Sequence, residues 1–340
     1  MITLFKNKKI LITGGTGSFG NLFTSKILNQ DFKELRILSR DEEKQDLMRH
    51  KYNNSKINFI IGDVRNKNIE CYFEGIDYVV HTAALKQVPS CEFFPQEAYS
   101  TNTIGTSNVI NSCIKNNVKR MILLSTDKAV YPINAMGLSK AMAEKILISS
   151  GRGNLNKKNF PIFNILRYGN VLCSRGSIVP KISNQIINNK EITITDLEMT
   201  RFVMSLENAF DLLCNCIKNG KQGEIFVQKA KACKIIDLAA ALSKILNKKL
   251  NFKTIGVRHG EKLDEILVSK EEMLSSKEFK NYIKIIPDIR NLNYEKYFSK
   301  GEKYIKYPEA ISSSSSPKLA INELIKILLK ESYIKEILTR

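Results

Sequence analysis

Seven residues near the amino terminus, Gly14-Gly-Thr-Gly17-Ser-Phe-Gly20, constrain the fold more than any others. They follow an apolar run, Lys8 to Thr13 (KKILIT), that reads as a strand buried on both faces, as a parallel sheet requires. An amphipathic stretch from about Asn21 to Asn29 comes next. In such a strand–turn–helix unit Gly14 allows the tight turn, Gly17 lets backbone approach a pyrophosphate, and Gly20 lets the helix pack close to the strand. The helix amino terminus adds amide donors and positive dipole for phosphates. A chain that opens this way is expected to build an α/β fold, a doubly wound parallel sheet of Rossmann type holding a dinucleotide.

Further apolar runs extend the plan. Glu34 to Ser39 reads as the second strand, followed by Arg40-Asp41 with Lys44 one turn on. NAD sites usually end this strand with an acidic residue for the ribose hydroxyls. Here Ser39 and Arg40 come first, and a guanidinium pairs bidentately with a 2′-phosphate, so NADP is expected, with Asp41 dissenting. The third strand, Ile57 to Ile61, ends in Gly62-Asp63-Val64, where Asp63 accepts from an adenine amino group or simply holds a turn. The fourth, Ile76 to Val80, leads to His81-Thr-Ala83-Ala84-Leu-Lys86, small residues that leave room for ribose and pyrophosphate. His81 reads as structural. A helical stretch from Pro95 to Asn116 turns Asn102 and Gly105 toward the sheet.

The stretch Ser125 to Lys140 (STDKAVYPINAMGLSK) follows the apolar run Lys119 to Leu124 and enters a helix near Ala135. It gathers Ser125, Thr126, Asp127 and Lys128 at the carboxyl end of a strand, where an open parallel sheet binds ligands. An adjacent carboxylate and ammonium supply one acid and one base. To act as base, Lys128 has to be neutral, its pKa drawn well below about 10.4 by burial or nearby cations. Met136 and Lys140 stand four apart, on one helix face.

Beyond the strand Pro161 to Arg167 the simple alternation ends, and a smaller lobe is expected from residue 168 to 286, after a dinucleotide domain over 1–167. Short strands (Ile192 to Thr195, Glu224 to Gln228, Leu250 to Ile255) mix with helices near Ile182–Asn189, Leu206–Asn219 and Ile235–Leu246. Thr200-Arg201-Phe202 and Arg258-His-Gly-Glu261-Lys262 read as turns facing the cleft, and with Ser174-Arg175-Gly-Ser177 they suit a diphosphate. In the tail, 287–340, the five serines 312–316 read as an exposed linker and Lys318 to Leu329 as a final helix folding back.

Composition narrows the remaining options. The net charge of +19 comes from lysines spread along all 340 residues, without aromatics alternating with basic residues, so nucleic acid is not the expected partner. A basic surface would also draw in an anionic nucleotide. The seven cysteines include no C-x-x-C pair and the three histidines are scattered, so no metal site is expected. No apolar run reaches membrane-helix length and none near the amino terminus has signal-peptide form; a cytoplasmic protein with no membrane partner is expected.

GGTGSFG, SRDEEKQ, FIIGDVR, AALKQVPSCE, STDKAVYPINAMGLSK, RYGNV, SRGS, TDLEMTRF, EIFVQKA, RHGEK and PDIRNLNYEKY occur in this order, from Lys8 to about Tyr297. With them the chain resembles the extended short-chain dehydrogenase/reductases acting on UDP-sugars. Within that group it is most similar to the capsular-polysaccharide UDP-N-acetylglucosamine 4,6-dehydratase/5-epimerases. Sister inverting dehydratases of the pseudaminic acid pathway keep a tyrosine where this chain has Met136 and lack the DIRNLNY-type tail. The resemblance implies hydride transfer between NADP and the sugar, removal of the C5 proton, loss of the 6-hydroxyl and reprotonation of C5 from the other face. The implied product is UDP-2-acetamido-2,6-dideoxy-L-arabino-hexos-4-ulose, a precursor of L-fucosamine-type sugars.

By the same resemblance Lys128 is the C5 base, Asp127 the acid for the C6 hydroxyl, and Lys140 holds the nicotinamide ribose. Thr16, Ser18, Phe19, Val64, Lys86 and Tyr168 join the cofactor site. Lys86, Asn170, Ser177, Val179, Pro180, Thr200, Arg201, Arg258 and Glu261 face the UDP-sugar. A homohexamer is implied, with the tail after Pro287 at subunit contacts. Met136 has no titratable proton, so the C4 hydroxyl proton has to leave through Thr126 and water, Lys128 or Asp127. A UDP-sugar 4-epimerase, which needs no such acid–base pair, and a non-catalytic NADP-sensing regulator are the alternatives.

Overall fold

The computed structural model describes residues 4–152, 159–288 and 308–339. The first half alternates strand and helix. Its strands are β1 (Lys9–Thr13), β2 (Glu34–Ser39), β3 (Ile57–Ile61), β4 (Tyr78–His81), β5 (Arg120–Leu124) and β6 (Ile162–Arg167). Its helices are α1 (Ser18–Leu28), α2 (Glu42–Tyr52), the short α3 (Val88–Phe93) and α4 (Pro95–Ala98), α5 (Gly105–Lys115) and α6 (Ala135–Arg152). The second half holds β7 (Asn170–Val171), α7 (Ile178–Ile187), β8 (Ile192–Ile194), β9 (Thr200–Met204), α8 (Leu206–Asn219), β10 (Ile225–Gln228), β11 (Lys231–Lys234) and α9 (Ile235–Ile245). Then come β12 (Phe252–Thr254), β13 (Ile266–Val268), α10 (Lys270–Leu274), β14 (Ser276–Glu278), β15 (Tyr282–Ile285), β16 (Ile311–Ser312), α11 (Ile321–Leu328) and α12 (Ser332–Leu338).

Nine strands form one sheet in the order β14-β15-β10-β6-β5-β4-β1-β2-β3. Strands β1 to β6 and β10 are parallel, while β15 and β14 add an antiparallel edge. The fold is therefore the expected α/β one, with a large Rossmann-type sheet. Its inner strands are mostly apolar because helices cover both faces, with Asn164 and Arg167 of β6 the buried polar exceptions in that strand. The chain runs β1, β2, β3 one way and returns to lay β4 on the other side of β1, so the carboxyl ends of β1 and β4 flank the switch point where such sheets bind ligands.

A separate apolar cluster holds α7, β8, α9 and the chain's end together, with Val179, Ile182, Leu238, Leu242, Leu324, Leu328 and Ile334 at its centre. The expected final helix is α11, and it does fold back, onto α9. In contrast, α8 and β10 rejoin the large sheet: Leu213 and Phe226 pack in the cluster that contains Ile12 and Phe23.

Four expectations need correction. Helix α1 starts at Ser18 rather than Asn21, because Gly20 lies inside its first turn; a Cβ there would fall 2.0 Å from the Gly15 carbonyl oxygen. The stretch Pro95 to Asn116 is interrupted by a π turn over Tyr99–Ile104, where the Asn102 amide turns inward to bond the backbone of Leu85 at 2.8 and 2.9 Å. Thr200, Arg201 and Phe202 form no turn: they are buried in β9, between β7 and β11. The serine run is not simply an exposed linker. Ser312 pairs with β13 in an antiparallel ladder, and Ser313 is fully buried, because its small side chain fits against Thr200 at 2.7 Å and the Glu265 backbone at 2.9 Å. Most of the tail motif, from residue 289 to 307, lies outside the described residues.

All seven cysteines are free thiols: Cys71 is exposed, Cys173 half-buried and the other five buried. Among the described residues no group of His, Cys, Asp and Glu side chains comes together as metal ligands do. No helix among them is long and apolar enough to cross a membrane.

Candidate active site

The glycine turn shapes one wall of a cavity of about 660 Å³ at the switch point. Gly14 has φ +63°, and a Cβ on it would meet Ala83 Cα at 2.7 Å, so only glycine fits where β1 passes the end of β4. Thr16, Gly17, Ser18 and Phe19 line the same wall, while Gly20 is packed behind it. Four buried cavity-wall groups, Thr101 Oγ1, Ser125 Oγ, Asn170 Oδ1 and Ser177 Oγ, have no hydrogen-bond partner among the described residues. Buried polar atoms are rarely left so unless a ligand or water completes them. The glycine cradle, the helix amino terminus and these open groups fit a bound dinucleotide.

At the far end of the cavity lie Ser39, Arg40, Lys44, Asp63 and Val64. Thr16 and Ser39 hydroxyls bond at 2.8 Å. Arg40 reaches Asp63 at 3.5 Å, and Lys44 binds Asp41, whose carboxylate caps α2 by accepting from the Lys44 amide at 3.0 Å. Asp63 is gripped by Arg65, at 2.6 Å. Burial alone would raise the Asp63 pKa, but Arg65 and Arg40 hold it below the usual carboxylate value. Arg65 also pairs with Glu97 at 2.6 Å, so the three cations Arg40, Lys44 and Arg65 are matched by the three carboxylates Asp41, Asp63 and Glu97.

Between the two ends, Ala83, Ala84 and Lys86 form the β4 side. The Lys86 ammonium donates to the Arg175 carbonyl at 2.6 Å, the Arg175 amide donates to Ser18 Oγ at 3.1 Å, and the Arg175 guanidinium donates to the Thr16 carbonyl. Loop 174–177 thus reaches from the smaller lobe onto the glycine turn. Asn102 lies behind the wall, bonded to Leu85 and Ser139.

The residues after β5 give the site its proton chemistry. Thr126 Oγ1 donates to Asp127 Oδ1 at 2.9 Å and accepts from the Lys128 amide at 3.3 Å. Lys128 Nζ lies 3.0 Å from Asp127 Oδ1 and 3.2 Å from Glu265 Oε1. Thr126, Lys128, Tyr168 and Gly169 line the cavity, whereas Asp127 and Glu265 are buried behind them. Burial pulls the Lys128 pKa down, but the Asp127 and Glu265 carboxylates outweigh it and hold it above the ordinary lysine value. The expected neutral lysine is therefore not the resting state: Arg201 pushes the other way but does not offset the two buried carboxylates. Burial raises the Glu265 pKa in turn, with Lys128 opposing it.

Lys140, one turn beyond Met136 on α6, faces the cavity and donates to the Leu124 carbonyl at 2.6 Å. Burial brings its pKa down to about 8, with Glu144 opposing. His81 is structural, as expected: it is fully buried and bonds Thr13 at 2.6 Å and Thr106 at 3.0 Å. Burial, then Lys140, lowers its pKa to about 3. Met136 lines the cavity and packs with Cys91 and Ala98, with no polar task.

The expected sugar-side residues divide. Asn170 and Ser177 line the cavity. Val179 is core of the smaller lobe, and Pro180 lies beside it in α7. Thr200 bonds Asp264 at 2.7 Å, and Arg201 spends its donors on the carbonyls of Thr200, Leu263 and Lys262 at 2.7 to 2.9 Å. Arg258 is exposed away from the cavity, and Glu261 accepts from Thr195 at 3.1 Å. Sequence reasoning missed Glu265 and Arg65. Arg65 ended a motif already in view, whereas Glu265 carried no local signal beyond lying three residues past Lys262.

Comparison with known proteins agrees with this geometry. Residues 10–287 match the family described as "Polysaccharide biosynthesis protein", and residues 288–335 match "Polysaccharide biosynthesis protein C-terminal". A Rickettsia bellii protein called UDP-glucose 4-epimerase is 51% identical over 338 residues, 98% of each chain. The X-ray structure of Pen from Bacillus thuringiensis superposes with a TM-score of 0.87 at 33% identity, covering 96% of this chain and 98% of that one. DesIV, a dTDP-glucose 4,6-dehydratase from Streptomyces venezuelae solved with NAD and TYD, shares the fold with a TM-score of 0.67 at 18% identity, over 75% of this chain and 86% of its own. The chain belongs to the polysaccharide biosynthesis protein family.

Proposed function

We propose that this protein is an NADP-dependent UDP-N-acetylglucosamine 4,6-dehydratase that inverts C5. The broader reading, an enzyme that modifies UDP-sugars through a nicotinamide cofactor, draws on the relatives named above. One observation carries the finer one: Lys128 faces the cofactor cavity with Asp127 and Glu265 directly behind it. Removal of a carbon-bound proton needs such a positioned base, and a 4-epimerase has no use for one. A bound nicotinamide supplies hydride acceptance at C4 and hydride return at C6.

The chain's own residues do the rest. Lys140 holds the nicotinamide ribose, and its partly neutral amine keeps positive charge at that place adjustable. Once C4 is a ketone the C5 proton is acidic, and the Lys128 amine takes it. Asp127 is assigned to the departing 6-hydroxyl through Thr126, which lines the cavity and whose hydroxyl bonds Asp127 Oδ1 at 2.9 Å. Arg40, exposed in the cavity wall just past β2, is the guanidinium assigned to a 2′-phosphate. A homohexamer with subunit contacts in the tail remains part of the proposal, and light scattering tests it.

The second reading is UDP-glucose 4-epimerase, favoured by the name of the Rickettsia relative. Incubation with UDP-N-acetylglucosamine and, separately, UDP-glucose in D₂O, followed by proton NMR of the sugar, separates the two. A 4-keto-6-deoxy product with deuterium at C5 is expected from the first substrate. A 4-epimer lacking C5 deuterium would replace the dehydratase reading.

A further inference from the structure

Glu265 is only 2% exposed, stands just before β13, and has no part in the chemistry assigned so far. Its backbone is clamped on both sides by Ser313, whose hydroxyl accepts from the Glu265 amide at 2.9 Å and whose amide donates to the Glu265 carbonyl at 2.8 Å. One carboxylate oxygen lies 3.2 Å from Lys128 Nζ, and the other is buried with no hydrogen-bond partner among the described residues. Each of Asp127 and Glu265 has one buried oxygen without a partner among the described residues, but Asp127 also receives a hydrogen bond from the neutral Thr126 hydroxyl, whereas no described side chain gives Glu265 one of that kind. Leaving a buried carboxylate so poorly supported is costly unless its cationic neighbour depends on it.

The charged groups around Lys128 come from every element packed on it. Asp127 comes from the end of β5, Glu265 from before β13, and Arg201 from β9, 3.9 Å from Glu265 Oε1. Lys262 is tied to the Val130 carbonyl at 2.7 Å. Of the three members Asp127, Lys128 and Glu265, only Lys128 reaches the cavity wall, with 19% of its side chain exposed.

Resting on the dehydratase reading for its chemical consequence, we propose that Glu265 is a positioning residue for Lys128. It fixes Nζ at the cavity wall between two carboxylates and sets the pH at which the amine is free to take a proton. The proton balance follows. The ammonium releases one N–H proton to solvent, the freed lone pair takes the C5 proton, the C–H pair becomes the C5–C6 double bond, and the 6-hydroxyl leaves with the C6–O pair as water on one proton returned from solvent through Thr126.

The test compares wild type, Glu265→Gln and Glu265→Asp. Competitive labelling of the free proteins with acetic anhydride, read at Lys128 by peptide mass spectrometry against pH, reports the amine without any substrate. Loss of an opposite charge at this distance moves the labelling midpoint acidward by about one unit or more in Glu265→Gln. The shorter Glu265→Asp moves it the same way by less, and serves if the first variant does not fold. With UDP-N-acetylglucosamine in D₂O, the alkaline rise of C5 deuterium exchange moves in step. A labelling midpoint unchanged in either folded variant overturns the proposal, even if activity falls. A shifted midpoint in a protein whose wild type exchanges no C5 deuterium keeps the hold of Glu265 on Lys128 and overturns the dehydratase reading instead.

Discussion

Replacing Arg167 by methionine tests whether α6 is held by a buried charge. Arg167 ends β6 with its side chain 2% exposed, and its guanidinium bridges two carboxylates. It donates to Glu144 of α6 at 2.6 and 3.3 Å, to Glu272 of α10 at 2.7 and 2.9 Å, and to the Leu267 carbonyl at 3.1 Å. Burial would raise the Glu272 pKa, yet Arg167 outweighs it and holds that carboxyl below its usual value. Methionine keeps most of the volume and removes the charge, leaving two carboxylates facing each other. Breaking a buried pair from one side costs about 3–5 kcal/mol. Five hydrogen bonds summed singly would exceed that, but they share one group and do not add. For a chain of this size the loss corresponds to a melting point lower by roughly 4–7 °C. Urea titration and differential scanning fluorimetry measure it. The sign with pH is fixed by Glu272: its depressed pKa contributes stability above the unfolded value, about 4.3, and that contribution is lost as pH falls. The gap between wild type and variant is therefore widest near neutrality and narrows toward acid. Adding Glu144→Gln and Glu272→Gln should recover most of it. A loss below about 1 kcal/mol, or a gap that does not close in acid, would refute a stabilising role for the bridge.

Other predictions address the chemistry. In single-turnover measurements of NADPH appearance, Met136→Leu should keep C4 oxidation within about tenfold, roughly 1.4 kcal/mol, because the change nearly conserves volume. Lys128→Met should abolish C5 deuterium exchange, a loss of about 10²–10⁴-fold; undiminished exchange would move the base elsewhere. Arg40→Glu should shift binding from NADP toward NAD in a fluorescence titration, and a wild type that prefers NAD would undo that reading of the β2 end. Lys140 has a folded pKa of about 8 against 10.5, so protonation opposes folding below about pH 8 and ceases to do so as pH approaches 10.5. Lys140→Met should accordingly be more stable than wild type at neutral pH, by at most about 3 kcal/mol, with the difference shrinking at pH 9.5 in urea titrations.

Local patterns told the sequence reader about local things. The glycine turn, the ends of β2 and β3 and the whole of α8 follow from apolar runs and their punctuation, since backbone pairing and helix period are written in adjacent residues. The Ser125–Lys140 segment likewise announced its place at a strand end. What stayed hidden were interactions between distant parts of the chain. Arg201 resembled a phosphate ligand by type and is instead consumed by backbone carbonyls at residues 200, 262 and 263. Glu265 looked like any surface carboxylate, because its partner lies 137 positions earlier in the sequence and meets it only when β13 docks at the end of β5. The serine run carried a composition typical of linkers, and only the neighbouring strand makes Ser313 a buried bridge. The lowered Lys128 pKa failed for the same reason: the second carboxylate was out of sight.

The Ser313 clamp also bears on the order in which the protein is made. Synthesis delivers the glycine turn, Asp127 and Lys128 early and Glu265 much later. The residue that pins Glu265 emerges 48 positions later still. A nascent chain stopped short of Ser313 could complete β1 to β6 and the cofactor crevice. It would nevertheless carry an unclamped Glu265 beside Lys128. Competence to bind a dinucleotide should thus precede competence for sugar chemistry, and chains cut just before residue 311 should separate the two.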